Sequence, residues 1–437
     1  MQKGNKVTRV HFMGIGGSGA SGVARIAKEY GYEVSGCDLE EGKNTRILEK
    51  EGFTISIGHS ADHLKNVDML AHTPAVLDQS VAHPEYLVAK KKGKAMIWEE
   101  FMAKFLMKEK FVVAVAGTHG KGTTAAMLGI IMEKAGLDPT VEMGTGLLNW
   151  QGRNYRVGKS QYFLCEADEY RDKFLLYKPN LAIVTSIELD HPDYFKDFET
   201  LLSSFVKFVS KLVPPRVLVL CRSNKGCQEL AKKLKKNKFS GKISWYDTLP
   251  KSKIKLRIPG EHIRQDATGA WVAAASLGVK DKAIKEALQS FSGCERRFEY
   301  KGEFEGVKVY DDYAHHPTAV KVNIDAAREL YPKKKIWVVF QPHMYSRLQA
   351  LFDDFVESLR LADRVVVTDV YTRREQGITK PSGKDLALAI GAPKATYVGG
   401  GFENVANFVE RNSKKGDVAV VMGAGDSYKI AEMLVQK

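Results

Sequence analysis

The residues with the clearest chemical signature form a glycine-rich loop that carries one lysine. The loop consists of Gly117, Thr118, His119, Gly120, Lys121, Gly122, Thr123 and Thr124. Main-chain N–H groups of such a loop can surround phosphate oxygens, while the lysine reaches the β- and γ-phosphates and a hydroxyl binds Mg²⁺. The strict Walker pattern is not met, because Val115 replaces its first glycine and Gly122 follows the lysine. The surrounding order of an apolar segment at 111–116, the loop and a helix expected at 124–134 still predicts an ATP site.

Acidic residues follow two apolar segments downstream of this loop, 162–165 and 181–187. They are Glu166, Asp168 and Glu169 after the first segment, and Glu188, Asp190 and Asp193, together with His191, after the second. Carboxylates at the ends of parallel strands are well placed to hold Mg²⁺ beside a phosphate loop. Magnesium prefers oxygen ligands, so His191 is either an unusual ligand or a solvated loop histidine.

A second glycine loop lies near the N-terminus. It contains Gly14, Gly16, Gly17, Ser18 and Gly19, in the pattern GxGxxG. Asp38 follows about 20 residues later, where an acidic residue usually contacts a ribose. The pattern indicates a site for a dinucleotide or a nucleoside diphosphate. Taken alone, it is found more commonly in nicotinamide-dependent dehydrogenases.

Further polar residues cluster in the last third of the chain. They include Arg297, Asp312, His315, His343, Tyr345 and Arg347. Several of them follow apolar segments, so the carboxyl ends of parallel strands would gather them at one cleft. Arg297 could reach phosphates held by the central part of the chain.

Apolar segments and helical segments alternate along the chain, which predicts an α/β protein with parallel sheets covered by helices. Three apolar segments, 7–13, 111–116 and 418–422, each lead into a glycine-containing turn and a helix. We therefore expect three domains: a Rossmann-like domain at 1–109, a P-loop ATPase-type domain at 110–295, and a second Rossmann-like domain at 296–437.

Composition narrows the function further. The 437 residues carry a net charge of +14, but the lysines are dispersed and no nucleic-acid-binding motif accompanies them, so we expect no nucleic-acid partner. No apolar stretch reaches the roughly 18 residues of a membrane span, which argues against membrane insertion. The five cysteines form no CxxC pair, which argues against a zinc site or a disulfide framework and favours a cytoplasmic location.

The chain resembles the muramoyl ligases of peptidoglycan synthesis along nearly its whole length. The matching stretches include HFMGIGGSGASGVA, AGTHGKGTT, FLCEADEYRDKFLLYKPNLAIVTSIELDHPD, ERRFEYKGEFEGVKVYDDYAHHPTAV, QPHMYSRLQALFDDFVESL and VVMGAGDSYKIAEML. The resemblance implies an ATP-dependent ligase that joins L-alanine to UDP-N-acetylmuramate through an acyl phosphate. A ligase that attaches a ready-made tripeptide to the same UDP-sugar is the alternative. A monomer or homodimer is expected.

The resemblance also implies roles for individual residues. The first loop, with Asp38, His72 and Thr73, would bind the UDP-sugar. The second loop, with Asp266, Arg297 and Asp312, would bind ATP, and Thr123, Glu166 and His191 would hold two Mg²⁺ ions. Lys121, Glu166, His191 and Arg297 would be catalytic, and His315, His343, Tyr345 and Arg347 would lie near the amino acid and sugar.

The chain departs from the family pattern at three positions in these stretches. Gly122 stands where a threonine usually follows the lysine, so Thr123 would take over the Mg²⁺ contact. Asp266 replaces an asparagine beside the adenine and offers no amide donor. Met344 replaces an arginine in the substrate pocket.

Overall fold

The computed structural model describes residues 8–74, 83–250, 252–372, 375 and 379–436. Within these residues the chain forms three sheets, each built from strands that are consecutive in sequence. The strands are mostly parallel and the connections between them are mostly helical, because parallel strands need a long crossover. The expected three-part α/β architecture is therefore confirmed.

The first sheet has the strand order β3-β2-β1-β4-β5 and is parallel throughout. Its strands are β1 (Arg9–Met13), β2 (Glu33–Asp38), β3 (Thr54–Ile57), β4 (Met69–His72) and β5 (Ala95–Ile97). Its α-helices are α1 (Ser18–Glu29), α2 (Lys43–Lys50), α3 (Pro84–Lys91) and α4 (Trp98–Phe101). The order of these strands is that of a Rossmann-like sheet, whose ligands bind at the strand ends near β1, where the strand order reverses. The part of the chain from β1 to α4 is called the first unit.

The central sheet has the order β12-β11-β10-β6-β9-β7-β8, and only its edge strand β8 is antiparallel among the described strands. Its strands are β6 (Phe111–Ala116), β7 (Thr140–Leu147), β8 (Arg153–Arg156), β9 (Tyr162–Glu166), β10 (Leu181–Val184), β11 (Val217–Cys221) and β12 (Lys242–Tyr246). Its α-helices are α5 (Lys121–Lys134), α6 (Phe198–Ser210), α7 (Lys225–Lys236), α8 (Glu261–Ser276) and α9 (Asp281–Gln289). The part from β6 to α9 is called the central unit.

The third sheet has the order β13-β14-β18-β15-β16-β17, with β13 antiparallel at one edge. Its strands are β13 (Glu299–Phe304), β14 (Val307–Asp312), β15 (Ile336–Phe340), β16 (Arg364–Val367), β17 (Ala395–Tyr397) and β18 (Val418–Met422). Its α-helices are α10 (Pro317–Leu330), α11 (Tyr345–Ala350), α12 (Phe352–Leu359), α13 (Gly383–Ile390), α14 (Phe402–Asn412) and α15 (Tyr428–Val435). The part from Arg296 to the end of α15 is called the third unit.

Apolar packing joins the first two units more tightly than the third. One continuous buried core contains residues of both, such as Phe12 and Val23 with Met127 and Phe163. The third unit has separate cores on the two faces of its sheet. The domain limits at residues 109 and 295 stay a prediction.

Some element limits differ from those expected from the sequence. Helix α5 begins at Lys121 rather than at residue 124, so the lysine lies on the helix itself. The amphipathic pattern at 99–107 predicts one helix, but the structure has a short α-helix, α4, that continues as a π-helical turn, Met102–Leu106. Among the described residues, no helix is both long and apolar enough to cross a membrane.

Candidate active site

A cleft of about 1680 Å³ lies where the three units meet. It is lined by Ser18 and Gly19 of the first unit, by Lys121 and Glu166 of the central unit, and by residues such as Arg297 of the third. Pockets for one drug-sized ligand measure roughly 300–1000 Å³. The cleft is therefore large enough for more than one substrate at a time.

The phosphate loop of the central unit owes its shape to two glycines. Gly117 has a φ of +136°, and a Cβ there would stand 2.2 Å from Thr185 Oγ1. Gly120 has a φ of +79°, and a Cβ there would stand 2.3 Å from Asp266 Oδ1. Side chains other than hydrogen are excluded at both positions by backbone strain and by contact. The loop can therefore turn tightly between β6 and α5. The N–H groups of Thr118 and His119 donate to Ser186, and those at the start of α5 can face a ligand.

Lys121 is held inside the loop before any ligand arrives. Its Nζ donates to Glu169, with Nζ–Oε distances of 2.9 and 3.2 Å, and to the carbonyl oxygen of Gly117. Burial lowers the pKa of the ammonium, but the carboxylates of Glu169 and Asp168 outweigh this, so its pKa is raised overall. The lysine is therefore a fixed cation at the N-terminus of α5.

A trio of possible metal ligands lies beside this lysine. Asp168, Glu169 and His191 each offer a ligand atom, and these atoms lie within 4.8 Å of one another. His191 has a φ of +56°, and its ring lies over Tyr170 with the centroids 4.5 Å apart. Left-handed backbone in a residue other than glycine is a local strain that clusters at functional sites. The geometry thus favours His191 as part of the site rather than as a solvated loop residue.

The other two predicted metal ligands are placed differently. Glu166 lines the cleft, but its Oε2 accepts the N–H of Gly144 at 2.9 Å, and it is not part of the trio. Thr123 also lines the cleft and is buried on the first turn of α5. The structure therefore brings His191 to Asp168 and Glu169, two carboxylates that the sequence pattern offered for Mg²⁺ but that the family resemblance did not assign as ligands.

Asp266, on α8, is buried against the phosphate loop. Burial raises the pKa of its carboxyl group from 3.8 to about 8. At neutral pH the group is therefore protonated and has an O–H that can donate a hydrogen bond as well as an oxygen that accepts one. The sequence led us to expect an acceptor without an amide donor; burial adds a hydroxyl donor, which the sequence alone does not reveal.

The third unit contributes an arginine and an aspartate to the same cleft. Asp312 holds the chain around it, accepting the N–H of Phe298 at 2.6 Å and that of Ala314 at 2.7 Å. Burial raises the pKa of Asp312, although the guanidinium of Arg297 opposes this. Both residues line the cleft, as expected for groups that approach a nucleotide from the third unit.

A buried ion pair connects the central unit to the third. The Nε and Nη2 atoms of Arg347 each lie 3.0 Å from Asp190 Oδ1, and both side chains are less than a tenth exposed. Nη1 of Arg347 lies 3.0 Å from His343 Nδ1. Burial raises the pKa of Asp190, but Arg347 and nearby histidines lower it far more, so it is ionised. In this arrangement Arg347 holds the third unit against the central unit.

The remaining residues predicted near the amino acid divide into two groups. His315 and His343 line the cleft with their ring centroids 5.9 Å apart. Tyr345 is not among the lining residues; its main-chain N–H donates to Glu375 at 2.5 Å. Unlike the two histidines, Tyr345 is therefore not part of the lining of the cleft.

The glycine loop of the first unit is stabilised largely by its own chain. Asp38 Oδ2 accepts the N–H of Gly16 at 2.8 Å, and the carbonyl oxygen of Cys37 accepts the N–H groups of Gly14 and Ile15. His72 is buried at the end of β4, and the N–H of Thr73 donates to the carbonyl oxygen of Met13. The predicted UDP-sugar residues thus gather at one sheet edge.

Only part of this group faces the main cleft. Ser18 and Gly19, at the start of α1, line it, whereas the remaining predicted UDP-sugar residues do not. Asp38 supports the loop through Gly16, and its contact with a ribose stays a prediction.

Comparison with known proteins decides which family this architecture represents. Residues 9–108 match the Mur ligase family catalytic domain, residues 115–255 the Mur ligase middle domain, and residues 296–425 the glutamate ligase domain of Mur ligases. The chain is 37% identical to the UDP-N-acetylmuramate–L-alanine ligase of Caldanaerobacter subterraneus subsp. tengcongensis, over 99% of this chain and 98% of the relative. The chain belongs to the Mur ligase family.

Other members of the Mur ligase family support the same assignment. The chain is 38% identical to the UDP-N-acetylmuramate–L-alanine ligase of Acetivibrio thermocellus, over 99% of this chain and 96% of that one. The crystal structure of the UDP-N-acetylmuramate–alanine ligase from Thermotoga maritima superposes with a TM-score of 0.80 at 27% identity, and 98% of each chain is covered. A murein peptide ligase from Psychrobacter arcticus gives a TM-score of 0.72 at 22% identity and shares the fold, again over 98% of each chain.

The structure also reveals a contact in the cleft that sequence reasoning missed. His119 Nε2, in the phosphate loop, stands 3.3 Å from Glu188 Oε2, and its ring lies 4.8 Å from that of His316. Thr318 Oγ1 of α10 donates to the same Glu188 oxygen at 2.9 Å. In this Mur ligase the third unit is therefore bonded directly to Glu188, which contacts the loop that carries Lys121. The only signal in the sequence was the position of Glu188 after an apolar segment.

Proposed function

We propose that this Mur ligase joins L-alanine to UDP-N-acetylmuramate, using ATP and releasing ADP and phosphate. The observation that carries the proposal is the shared cleft, whose lining includes Lys121, Asp168 and His191 together with the end of the first glycine loop. Relatives that are 37–38% identical over nearly the whole chain carry the name of this ligase. The nicotinamide-dependent dehydrogenase is set aside, because the chain belongs to a ligase family and a dehydrogenase leaves the Lys121 loop unexplained.

In the first step the carboxylate of the UDP-sugar attacks the γ-phosphate of ATP, and an acyl phosphate and ADP form. Negative charge builds on the phosphoryl oxygens during this transfer. Lys121 stands ready to offset that charge, because Glu169 and the Gly117 carbonyl already hold its ammonium in place. The N–H groups at the start of α5 add to the same stabilisation.

The residues around Lys121 fit magnesium. Asp168 and Glu169 supply the oxygen ligands that Mg²⁺ prefers, and ATP phosphates would complete its coordination, as at other phosphoryl-transfer sites. We propose that these two carboxylates, with His191, Thr123 and Glu166, hold up to two ions. When bound, Mg²⁺ would withdraw charge from the phosphoryl oxygens.

In the second step the neutral amine of alanine attacks the acyl carbon. The amide bond forms, phosphate leaves, and the amine loses a proton to solvent. We propose that His315 and His343 line the place of the amino acid, since both face the cleft beside the Arg347–Asp190 ion pair. That ion pair keeps the third unit against the central unit and excludes water from the reactive acyl phosphate.

A ligase that transfers a ready-made tripeptide to the same UDP-sugar is the alternative acceptor specificity. The same cleft and the same first step serve both reactions, so only the acceptor distinguishes them. We assign L-alanine because the relatives that are 37–38% identical to this chain are named as alanine ligases. We place the reaction in the cytoplasm, where ATP is available and where the five free cysteines stay reduced.

The test is phosphate release from ATP by the purified full-length protein. With UDP-N-acetylmuramate present, adding L-alanine should produce sustained phosphate release and one amide product per phosphate. Adding the tripeptide in place of alanine should produce no comparable rate. Sustained release with the tripeptide and none with alanine would reassign the acceptor, and no release with either would contradict the proposed function.

A further inference from the structure

A group of four metal-ligating side chains lies in the first unit, away from the residues that line the cleft. The group, called here the buried cluster, consists of His11, Cys37, His63 and Glu85. Each of these residues offers one ligand atom, and all four atoms lie within 4.8 Å of one another. Cys37 and Glu85 are fully buried, His11 is 2% exposed, and the side chain of His63 is 19% exposed. The proposed ligase reaction uses none of them.

The fold assembles the buried cluster from four separate segments. His11 lies in β1, Cys37 in β2, His63 in the 3-10 turn Ala61–Leu64, and Glu85 in the first turn of α3. Because β1 and β2 are paired in parallel, with Met13 opposite Cys37, side chains of both strands meet on one face of the sheet. The absence of a CxxC pair led us to expect no zinc site, but that spacing rule covers only ligands that are close in sequence.

Distances within the buried cluster approach those of a tetrahedral metal site. Cys37 Sγ lies 3.2 and 3.5 Å from the two carboxylate oxygens of Glu85, and the imidazole of His63 is hydrogen-bonded to the same carboxylate through Nδ1. Ligands bound to Zn²⁺ at about 2.0–2.3 Å lie roughly 3.3–3.7 Å apart at the corners of a tetrahedron. The two sulfur–oxygen distances already lie close to these spacings, and small side-chain movements around an ion would bring the histidine nitrogens to them as well.

One histidine nitrogen in the buried cluster lacks any partner. Nε2 of His11 is buried and has no hydrogen-bond partner among the described residues. Its other nitrogen, Nδ1, lies 2.8 Å from Ser35 Oγ. An Nδ1–H that donates to this hydroxyl leaves the lone pair on Nε2, which is how outer partners orient metal-binding histidines. A hydrogen-bond network without a metal therefore leaves this buried polar atom unsatisfied.

The charges of the buried cluster also suit a divalent cation. Glu85 is fully buried, and its ion-pair partners are His59 and His63. A thiolate at Cys37, a carboxylate at Glu85 and two neutral imidazoles carry two negative charges, which one Zn²⁺ neutralises. His59 Nδ1, 3.3 Å from Cys37 Sγ and 3.2 Å from Glu85 Oε2, is placed to donate to both as an outer partner.

We propose that the buried cluster binds one structural Zn²⁺ ion. Its four protein ligands leave no open coordination position, as in structural zinc sites, and the mixture of sulfur, nitrogen and oxygen suits zinc better than magnesium or calcium. The ion clamps two strands of the first sheet to the segments that follow β3 and β4.

The position of Cys37 connects this ion to the first glycine loop. The carbonyl oxygen of Cys37 accepts the N–H groups of Gly14 and Ile15 at 2.8 and 3.1 Å. The next residue, Asp38, holds Gly16. Fixing Cys37 through its sulfur therefore also fixes the loop to which we assign the diphosphate, so zinc removal should raise the KM for the UDP-sugar more than that for ATP.

Cobalt substitution tests the site on the full-length protein. Metal-free protein is titrated with Co²⁺ in excess Mg²⁺, which keeps the carboxylates near His191 occupied. The proposal predicts one equivalent of Co²⁺ with a thiolate-to-metal charge-transfer band and intense visible bands of tetrahedral cobalt, all displaced by Zn²⁺. Absence of a thiolate band in the wild-type protein would overturn the proposal, and this result does not depend on any variant folding.

Matched cysteine variants assign the band to one residue. Cys37→Ser should abolish it and weaken Zn²⁺ binding on the order of a hundredfold or more. Cys227→Ser is the control, because Cys227 is also buried but lies on α7 of the central unit. A band that persists in Cys37→Ser, or one that is lost in Cys227→Ser, would contradict the assignment. Metal binding is read without turnover, so its failure is distinguishable from failure of the proposed ligase reaction.

Discussion

The two glycine loops of this chain are both rich in glycine and both connect a strand to a helix, yet the side chains that they carry and contact differ. The loop at Gly117–Thr124 carries Lys121, whose ammonium is paired with Glu169 and surrounded by further carboxylates. The loop at Gly14–Gly19 carries no ionisable side chain, and its N–H groups are held by Asp38 and by the Cys37 carbonyl. Both leave the end of a parallel strand and open a helix.

The difference shows what a glycine loop can and cannot specify. A strand, a tight turn and a helix N-terminus create a place for phosphate oxygens in both units. Only the central loop adds a fixed cation and nearby metal ligands, so only there can the negative charge that develops during phosphoryl transfer be stabilised. We therefore assign binding to the first loop and reaction to the second, and the changes below test that division.

Removal of the lysine should have the largest effect. Lys121→Ala should lower kcat on the order of a hundredfold or more, because it removes the cation that stabilises the transferred phosphoryl group. Stopped-flow phosphate release and thermal unfolding would be measured together. The substitution leaves the buried carboxylate of Glu169 without its partner, so it should also lower stability. The double variant Lys121→Ala/Glu169→Gln removes that unpaired charge and should recover stability but not activity. Near-normal turnover in either variant would refute the role of the lysine.

Opening the ion pair between the central and third units should have the next largest effect. Breaking a buried ion pair costs about 3–5 kcal/mol. If the pair holds the two units together for the reaction, a loss of about 3 kcal/mol lowers kcat/KM roughly a hundredfold. Arg347→Ala should show this loss, whereas Arg360→Ala, at an exposed arginine that bonds carbonyls of its own unit, should not. A double-mutant cycle with Asp190→Asn should be strongly non-additive. Additive losses would mean that the two residues act separately.

A pair of glycine substitutions compares the two loops directly. Gly117→Ala would place a Cβ 2.2 Å from Thr185 Oγ1 in left-handed backbone, and should weaken ATP binding about tenfold, since such strain costs about 1–3 kcal/mol. Gly17→Ala meets nothing closer than 3.4 Å at a φ of −62° and should leave ATP binding unchanged. Calorimetric titration with a non-hydrolysable ATP analogue measures both. Equal losses in the two variants would contradict separate roles for the loops.

The smallest effect on activity is expected at Asp266. Asp266→Asn should leave the KM for ATP within a few-fold at neutral pH, because an amide and a protonated carboxyl group both donate and accept. The pH dependence of stability should change instead. Burial raises the pKa of this group from 3.8 to about 8, so its contribution to stability is full below 3.8 and is lost as the pH rises through about 8.

The asparagine variant lacks that titration. Its free energy of unfolding relative to the wild-type protein should therefore rise with pH across this window, by at most about 1.4 kcal/mol per pH unit. Urea unfolding at a series of pH values measures the difference. A difference that stays constant with pH would show that Asp266 is ionised in the folded protein.

Much of the fold followed from the sequence because the strands are continuous apolar runs. The segments 111–116 and 418–422 were predicted as strands and are strands with those limits. The start of α5 was placed three residues late, because Gly122 is a poor helix former and only the turn at Gly120 shows where the helix begins.

The site was less predictable because its contacts join distant parts of the chain. Lys121 was identified from its loop, but its pairing with Glu169 depends on the packing of β6 beside β9. The partnership of Arg347 with Asp190 crosses from the third unit to the central unit, and no local pattern encodes it. The protonated state of Asp266 depends on burial, which composition and spacing do not reveal.

The transfer of a phosphoryl group to the substrate carboxylate at Lys121 is tested most directly by isotope tracing. UDP-N-acetylmuramate carrying a heavy oxygen isotope in its carboxylate would be converted with ATP and L-alanine, and the released phosphate examined by mass spectrometry. An acyl phosphate requires one carboxylate oxygen to leave with the phosphate, so the label should appear there in proportion to product. Amide formation with unlabelled phosphate would contradict the mechanism.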